Sequence, residues 1–297
     1  LWGGALADGM DRRTLLAITT VGLIATSTLL WLQALLALND VWVVLGLLSL
    51  QQAFFAVNQP TRSAIIPRLL PGGQLPAANS LNMTVMNFGA IAGPLVAGSV
   101  IPLAGLQTLY LVDSIALFAT LWAVVRLPRI PPAHSGRRAG FRSVFEGFAY
   151  LATQRVLLAS FVVDIIAMVF GMPRALFPQI AHETFGDPAS GGLVLGLLFA
   201  ALSAGAVLGG VFSGWLPRVD RQGLAVIVCI VVWGAAMVGF GVSVGLATEG
   251  AVSIALWFAL AFLALGGGAD MISSAFRSTM LQQVATDEMR GRLQGVF

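Results

Sequence analysis

Two aspartates stand in the middle of long apolar runs, Asp164 in "SFVVDIIAMVF" and Asp270 in "GGGADMISSAF". A charge at the centre of a membrane helix costs about 2.5–3.5 kcal/mol on insertion scales, so each acid needs a reason to be there. Proton traffic is one such reason. A carboxyl group whose surroundings alternate between wet and dry can take up a proton on one side and release it on the other. Asp164 is the first candidate for that carrier, and Asp270 is the second. The alternative for Asp164 is a carboxylate that stays ionised against an arginine. The glycine triplet at 266–268 is expected to break the helix ahead of Asp270 and expose carbonyls. A third acid in an apolar run, Asp113, is expected to make a structural hydrogen bond.

The elements that must position these acids follow from composition. Of 297 residues, 58% are hydrophobic and only 10% charged, too few charges to cover a soluble domain of this size. Mean hydropathy is +0.89. Continuous apolar runs of membrane-crossing length recur, without the alternation that strands of a barrel require. The fold class is therefore all-α membrane protein. Spans are expected at 13–37, 41–66, 76–101, 105–126, 155–177, 188–215, 223–246 and 252–281, with a partial helix at each end.

All 16 basic residues are arginine. If the spans alternate, the loops near 9–13, 67–75, 126–155, 215–223 and 281–292 share one side and carry most of the arginines. The opposite loops hold Arg174 beside Asp40, Glu183, Asp187 and Glu249. The arginine-rich side is expected to be cytoplasmic. Net charge is only +3, and no basic stripe with interleaved aromatics points to nucleic acid. Cys229 lies in an apolar run as a packing residue. His134 and His182 fall in predicted loops on opposite sides, and no HExxH, GxSxG, Walker or CxxC pattern appears, so catalysis has no positive sign.

The stretch 127–154 begins "LPRIPPAHSGRRAG" and divides a membrane bundle at 1–126 from a second at 155–297. Its later part, "FRSVFEGFAYLA", puts Phe141, Phe145, Phe148 and Leu151 on one helical face, as an interfacial helix would; a plain connector is the alternative. The two bundles repeat each other. "GGALADGMDRR" at 3–13 is echoed by "GGVFSGWLPRVDRQG" at 209–223, and "TRSAIIPRLLPGGQLPAANSL" at 61–81 by "FRSTMLQQVATDEMRGRLQGV" at 276–296. Same order and same separation mean parallel duplicates. Each copy contains what the other lacks, so the expected whole is six plus six helices. About 9–10 would be present here, with the first and most of the last two missing.

The 3–13 segment resembles the cytoplasmic signature of the major facilitator superfamily, matched by Gly4, Asp8, Arg12 and Arg13. Gly9 replaces the usual basic residue and Asp11 the usual glycine, and the second copy has no acid at the Asp8 position. An aspartate at a helix end can accept hydrogen bonds from a neighbouring helix N-terminus. The resemblance implies that this cluster latches the two halves in the outward-facing state, with the arginines facing cytosol and anionic lipid. "NFGAIAGPLVAG" resembles the antiporter motif of drug exporters through Gly89, Gly93, Pro94 and Gly98. Small residues there would let the helix pack against the opposite half, with Pro94 kinking it; generic small-residue packing is the alternative.

"GGALADGMDRR", "RSAIIPRLL…LPAANSL", "PRALFPQIA" and "STMLQQVATDEMRGRLQGV" together are similar to the enterobactin-exporter and macrolide-efflux branch across the chain. The resemblance implies two parallel pseudo-repeated six-helix bundles. It also implies proton-driven efflux of a siderophore or amphipathic drug across a bacterial inner membrane by alternating access. No cofactor beyond the proton gradient, no metal and a monomeric state are expected. In that fold Asp164 and Asp270 lie on cavity-lining helices, and Gln51, Gln52, Asn58, Met168 and Met172 supply further cavity candidates. Arg62 and Arg277 are expected to snorkel or to pair with acids on other helices. A nutrient importer and a non-transporting scaffold or sensor are the alternatives.

Overall fold

Asp11 starts the first helix. Its Oδ1 accepts the backbone N–H of Arg13 at 2.8 Å and of Thr14 at 3.4 Å, which satisfies donors that a helix start otherwise leaves open. The computed structural model describes residues 11–38, 40–128, 171–219, 221–247 and 252–284, with isolated positions at 158, 162, 165 and 166. From Asp11 runs α1 (Arg12–Leu35), and α2 (Val41–Leu69) starts the same way, with Asp40 Oδ1 taking the N–H of Trp42 and Val43. Next comes α3 (Leu75–Val125). Its 51 residues would measure about 75 Å if straight, far more than the ~30 Å hydrocarbon core. Gly105 resolves this: at φ 75 and ψ 162 it is the one non-helical residue in α3 and divides it into two arms. Few side chains other than glycine's tolerate that angle. Pro94 and Pro102 keep helical angles, so Pro94 deletes a hydrogen bond without ending the helix, and the break falls at Gly105 instead.

The later part of the chain contains α4 (Phe177–Glu183), α5 (Leu193–Val211), α6 (Gln222–Gly245) and α7 (Val252–Val284). Short 3-10 turns lie at Gly72–Gln74, Pro173–Leu176 and Ser213–Arg218. No strand occurs among the described residues. Six helices among them are long and apolar enough to cross a membrane: α1, α2, α3, α5, α6 and α7. The expected spans hold for these, with three corrections. The 155–177 span is described only in part, and its end is a 3-10 turn running into α4 rather than a loop. His182 therefore sits in the last turn of a short helix. And α7 passes through 266–268 unbroken.

The residues form two compact units. One draws on 1–83 and 104–145, the other on 84–103 and 146–297, so most of α3's first arm belongs with the later helices. The interfacial helix expected near 141–151 and the boundary at 127–154 lie almost wholly outside the described residues.

In the first unit Leu16, Ile65 and Val124 form an apolar cluster, and polar contacts join helices beside it. Asn58 Nδ2 on α2 donates to Thr19 Oγ1 at 2.9 Å and Thr20 Oγ1 at 3.3 Å on α1. Ser27 donates to Asp113 Oδ2 at 2.6 Å, and the hydroxyls of Thr28 and Ser114 lie 2.8 Å apart. Asp113 thus makes the structural bond expected of it.

The second unit is built on close backbone approach. A methyl group on Gly205 of α5 would run into the Ala264 carbonyl of α7, and one on Gly267 would meet the Leu202 carbonyl. The glycine triplet is therefore a packing surface, Gly267 and Gly268 toward α5 and Gly266 toward Met237 of α6; it does not open the helix. Above this contact Phe177 is fully buried, edge-on to Phe199 at 5.0 Å and to Phe240 at 5.9 Å between ring centres.

Candidate functional site

Of the cluster at the first helix, Gly4 and Asp8 lie outside the described residues, while Arg12 and Arg13 lie within them. Arg13 Nη2 donates to the Val125 carbonyl at 2.5 Å. Val125 ends the second arm of α3, where carbonyls lack helical partners and the macrodipole favours a cation. Arg13 thereby ties α1 to α3 within its own unit. Asp11, where the family's pattern has glycine, is the N-cap of α1. Beside Val125, the Arg126 guanidinium stacks 3.8 Å above the Trp122 ring.

The Gly-Pro segment has a definite seat. Gly98 is buried, and a methyl group on it would come within 2.5 Å of the Gly192 carbonyl oxygen and 3.1 Å of Gly196 Cα. One on Gly196 would in turn come within 2.5 Å of the Pro94 carbonyl. Backbone therefore meets backbone where α3's first arm crosses the start of α5. Gly89 and Gly93 differ: a methyl group on either meets nothing within 4 Å among the described residues. Only half of the motif is used for this crossing.

The start of α5 is itself shaped by an acid. Asp187 is buried to 9% exposure, and its Oδ2 accepts the Leu195 N–H at 2.8 Å. Its carboxyl atoms lie 2.6–2.9 Å from where a Gly192 methyl would stand. Two glycines with positive φ, Gly186 at 78° and Gly191 at 101°, turn the chain back so that the acid reaches the helix it precedes. His182 Nδ1 lies 2.7 Å from the Asp187 carbonyl oxygen and fastens the loop to α4.

Asp164 and Met168 lie outside the described residues. Asp270 on α7 has a 58% exposed side chain and pairs at 3.9 Å with the nearly buried Arg277, two turns along the same helix. One acid that pairs with Arg277 is thus on its own helix. Arg62 is exposed. Gln51 is half-buried and Gln52 exposed, whereas Asn58 is committed to Thr19 and Thr20. Met172 is half-buried and precedes the 173–176 turn. Among the described residues no three His, Cys, Asp or Glu gather where a metal could be held.

Sequence reading missed Asp187, Gly192 and Gly196. The spacing Gly192-x-x-x-Gly196, repeated at Gly205-x-x-x-Gly209, is a signal for close helix approach that was available. Asp187 gave no such signal, because it caps a helix from eight residues before its donor.

Comparison with known proteins bears on the whole of this arrangement. The family described as transmembrane secretion effector, of the major facilitator type, matches residues 1–297. The enterobactin exporter of Salmonella typhimurium is 31% identical over 309 aligned residues, covering 99% of this chain and 68% of the relative. Those of Salmonella typhi and Escherichia coli are 30% and 29% identical over the same shares. The apolar helices agree with that assignment, and the chain belongs to the transmembrane secretion effector family of major facilitator transporters, as a multi-pass protein of the inner membrane.

Proposed function

We propose that this protein exports a siderophore of the enterobactin class from the cytoplasm by alternating access, driven by proton uptake. The observation that carries export is the seat of the Gly-Pro segment, where Pro94 and Gly98 meet Gly192 and Gly196 backbone to backbone. A contact without intervening side chains gives a defined surface that a rocking mechanism can make and release. The substrate class is supported by relatives named as enterobactin exporters along essentially the whole chain. The arginine-rich loops face the cytoplasm, and the cluster of Gly4, Asp8 and Arg12 sets which conformation predominates. Asp164 carries the proton. Asp270 is the second candidate, 3.9 Å from the Arg277 guanidinium on the same helix.

The test is secretion. Cells lacking their own enterobactin exporter are grown under iron limitation with and without this protein, and catecholate siderophore is measured in the medium. Restored secretion is expected, and its absence despite protein in the membrane rejects the reading. A parallel culture challenged with macrolides separates siderophore from drug export. In proteoliposomes, Asp164→Asn is expected to abolish the response to an imposed pH gradient, and full response in that variant removes Asp164 as carrier.

A further inference from the structure

We infer that Asp187 is the positioning residue of the transport cycle that holds the seat of the Gly-Pro segment in register. The inference rests on the transport reading above, and it assigns a role to an acid outside the motif itself.

Gly192 is pressed from two directions. On one side the Asp187 carboxyl atoms stand 2.6–2.9 Å from its would-be methyl position. From the other side, Gly98 approaches so closely that its own would-be methyl lies 2.5 Å from the Gly192 carbonyl oxygen. The carboxylate also holds the third residue of α5 through the Leu195 N–H at 2.8 Å. One side chain thus sets both where α5 begins and how its first carbonyl is presented to α3. Gly192 itself offers α5 no side-chain cap, so this work falls to a residue outside the helix. The loop makes the carboxylate a fixed strut: Gly186 and Gly191 turn it inward, and the Asp187 N–H donates to the Ala181 carbonyl at 2.9 Å. Because the acid is buried at the very crossing where the motif packs, its loss is felt by the motif through Gly192.

The role predicts an unusual ranking. Asparagine keeps the size and an acceptor oxygen, so Asp187→Asn should retain at least half of the efflux rate per transporter. Asp187→Ala, which removes a bond of the strength of a helix cap, should lower the maximal rate about fivefold to tenfold, with KM changed less than about twofold. Gly192→Ala should be similarly impaired, because its methyl displaces the carboxylate. Combining the two should be no worse than Asp187→Ala alone, since the space has been vacated.

A substrate-independent readout accompanies these rates. Ile101 and Leu195 both approach the would-be methyl position of Gly191, at 3.7 and 3.2 Å. Cysteines replacing them, in a Cys229→Ser background, should be joined by a short bis-maleimide in membranes. The yield should fall with Asp187→Ala and be kept with Asp187→Asn. If wild-type protein exports no siderophore, the substrate reading fails and the cross-linking ranking alone decides the inference. Equal loss in Asp187→Asn and Asp187→Ala, additive effects with Gly192→Ala, or a fall in membrane level with unchanged rate per transporter would overturn it.

Discussion

Beside its apolar cluster the first unit joins helices with hydroxyls and amides; beside its larger apolar clusters the second joins α5 to its neighbours with bare backbone. In the first, Asn58 reaches two threonines of α1, and Ser27 and Thr28 reach Asp113 and Ser114. In the second, Gly205 and Gly209 of α5 lie against Ala264 and Gly268 of α7, and Gly192 and Gly196 against the Pro94–Gly98 stretch. The two faces of α5 used in this way are opposite. Residues 192 and 196 lie about 220° around the helix from 205 and 209, at 100° per residue. A hydrogen bond fixes register, because its geometry fails when helices slide by an ångström. A glycine contact fixes distance but tolerates sliding and tilting. A transporter needs both kinds of joint, and this chain uses the first between α1, α2 and α3 and the second around α5.

The largest expected effect comes from thickening the tightest glycine joint. Gly205→Ala places a methyl group on the Ala264 carbonyl, a backbone atom that cannot step aside. The helices must separate, at a cost of about 3 kcal/mol. Thermal unfolding of the purified protein in detergent should fall sharply, and a wild-type midpoint would mean that α5 and α7 are not so close. Gly98→Ala should cost less, about 2 kcal/mol, because its partner is the first carbonyl of α5, next to a loop. Its signature is in transport: efflux per transporter should drop more than stability does.

How much of this was legible in the sequence depends on whether the cause was local. Continuous apolar runs gave the spans, since a helix in hydrocarbon satisfies its own backbone whatever surrounds it. Gly192-x-x-x-Gly196 and Gly205-x-x-x-Gly209 were equally readable as close contacts, although not which helices they would meet. The glycines at 266–268 misled, because flexibility and thinness are written with the same residue and only packing against Gly205 and Leu202 decides between them. Asn58 was assigned to a cavity for its polarity, yet two threonines one helix away commit it to structure. Asp187 was counted merely as a charge on the far side. Its effect depends on two positive-φ glycines returning the chain to Leu195, which no fixed spacing encodes.

A milder test addresses the polar joint. Asn58→Ala removes donors to Thr19 and Thr20, but Thr19 Oγ1 still lies 3.0 Å from the Leu15 carbonyl and stays satisfied. Membrane hydrogen bonds of this kind contribute modestly, so a loss of about 1 kcal/mol is expected. A double-mutant cycle with Thr19→Val should show coupling between the two sites. If the variant keeps its stability but loses efflux, Asn58 belongs to the substrate path after all.

The smallest effect, with the opposite sign, sharpens the comparison within one motif. Gly89 and Gly93 share a helix and a sequence signature with Gly98, yet a methyl group on either meets no atom within 4 Å among the described residues. If the motif is uniformly a packing surface, all three should resent alanine. If the crossing is confined to Pro94 and Gly98, the outer two carry only the glycine penalty in a helix, and alanine should relieve it. Gly89→Ala and Gly93→Ala should then each raise stability by about 0.5–1 kcal/mol, by stiffening the unfolded chain and favouring helix. Unfolding midpoints set beside that of Gly98→Ala read this directly. Destabilisation at Gly89 or Gly93 would place a further partner against the first arm of α3 and extend the bare-backbone joint by one or two turns.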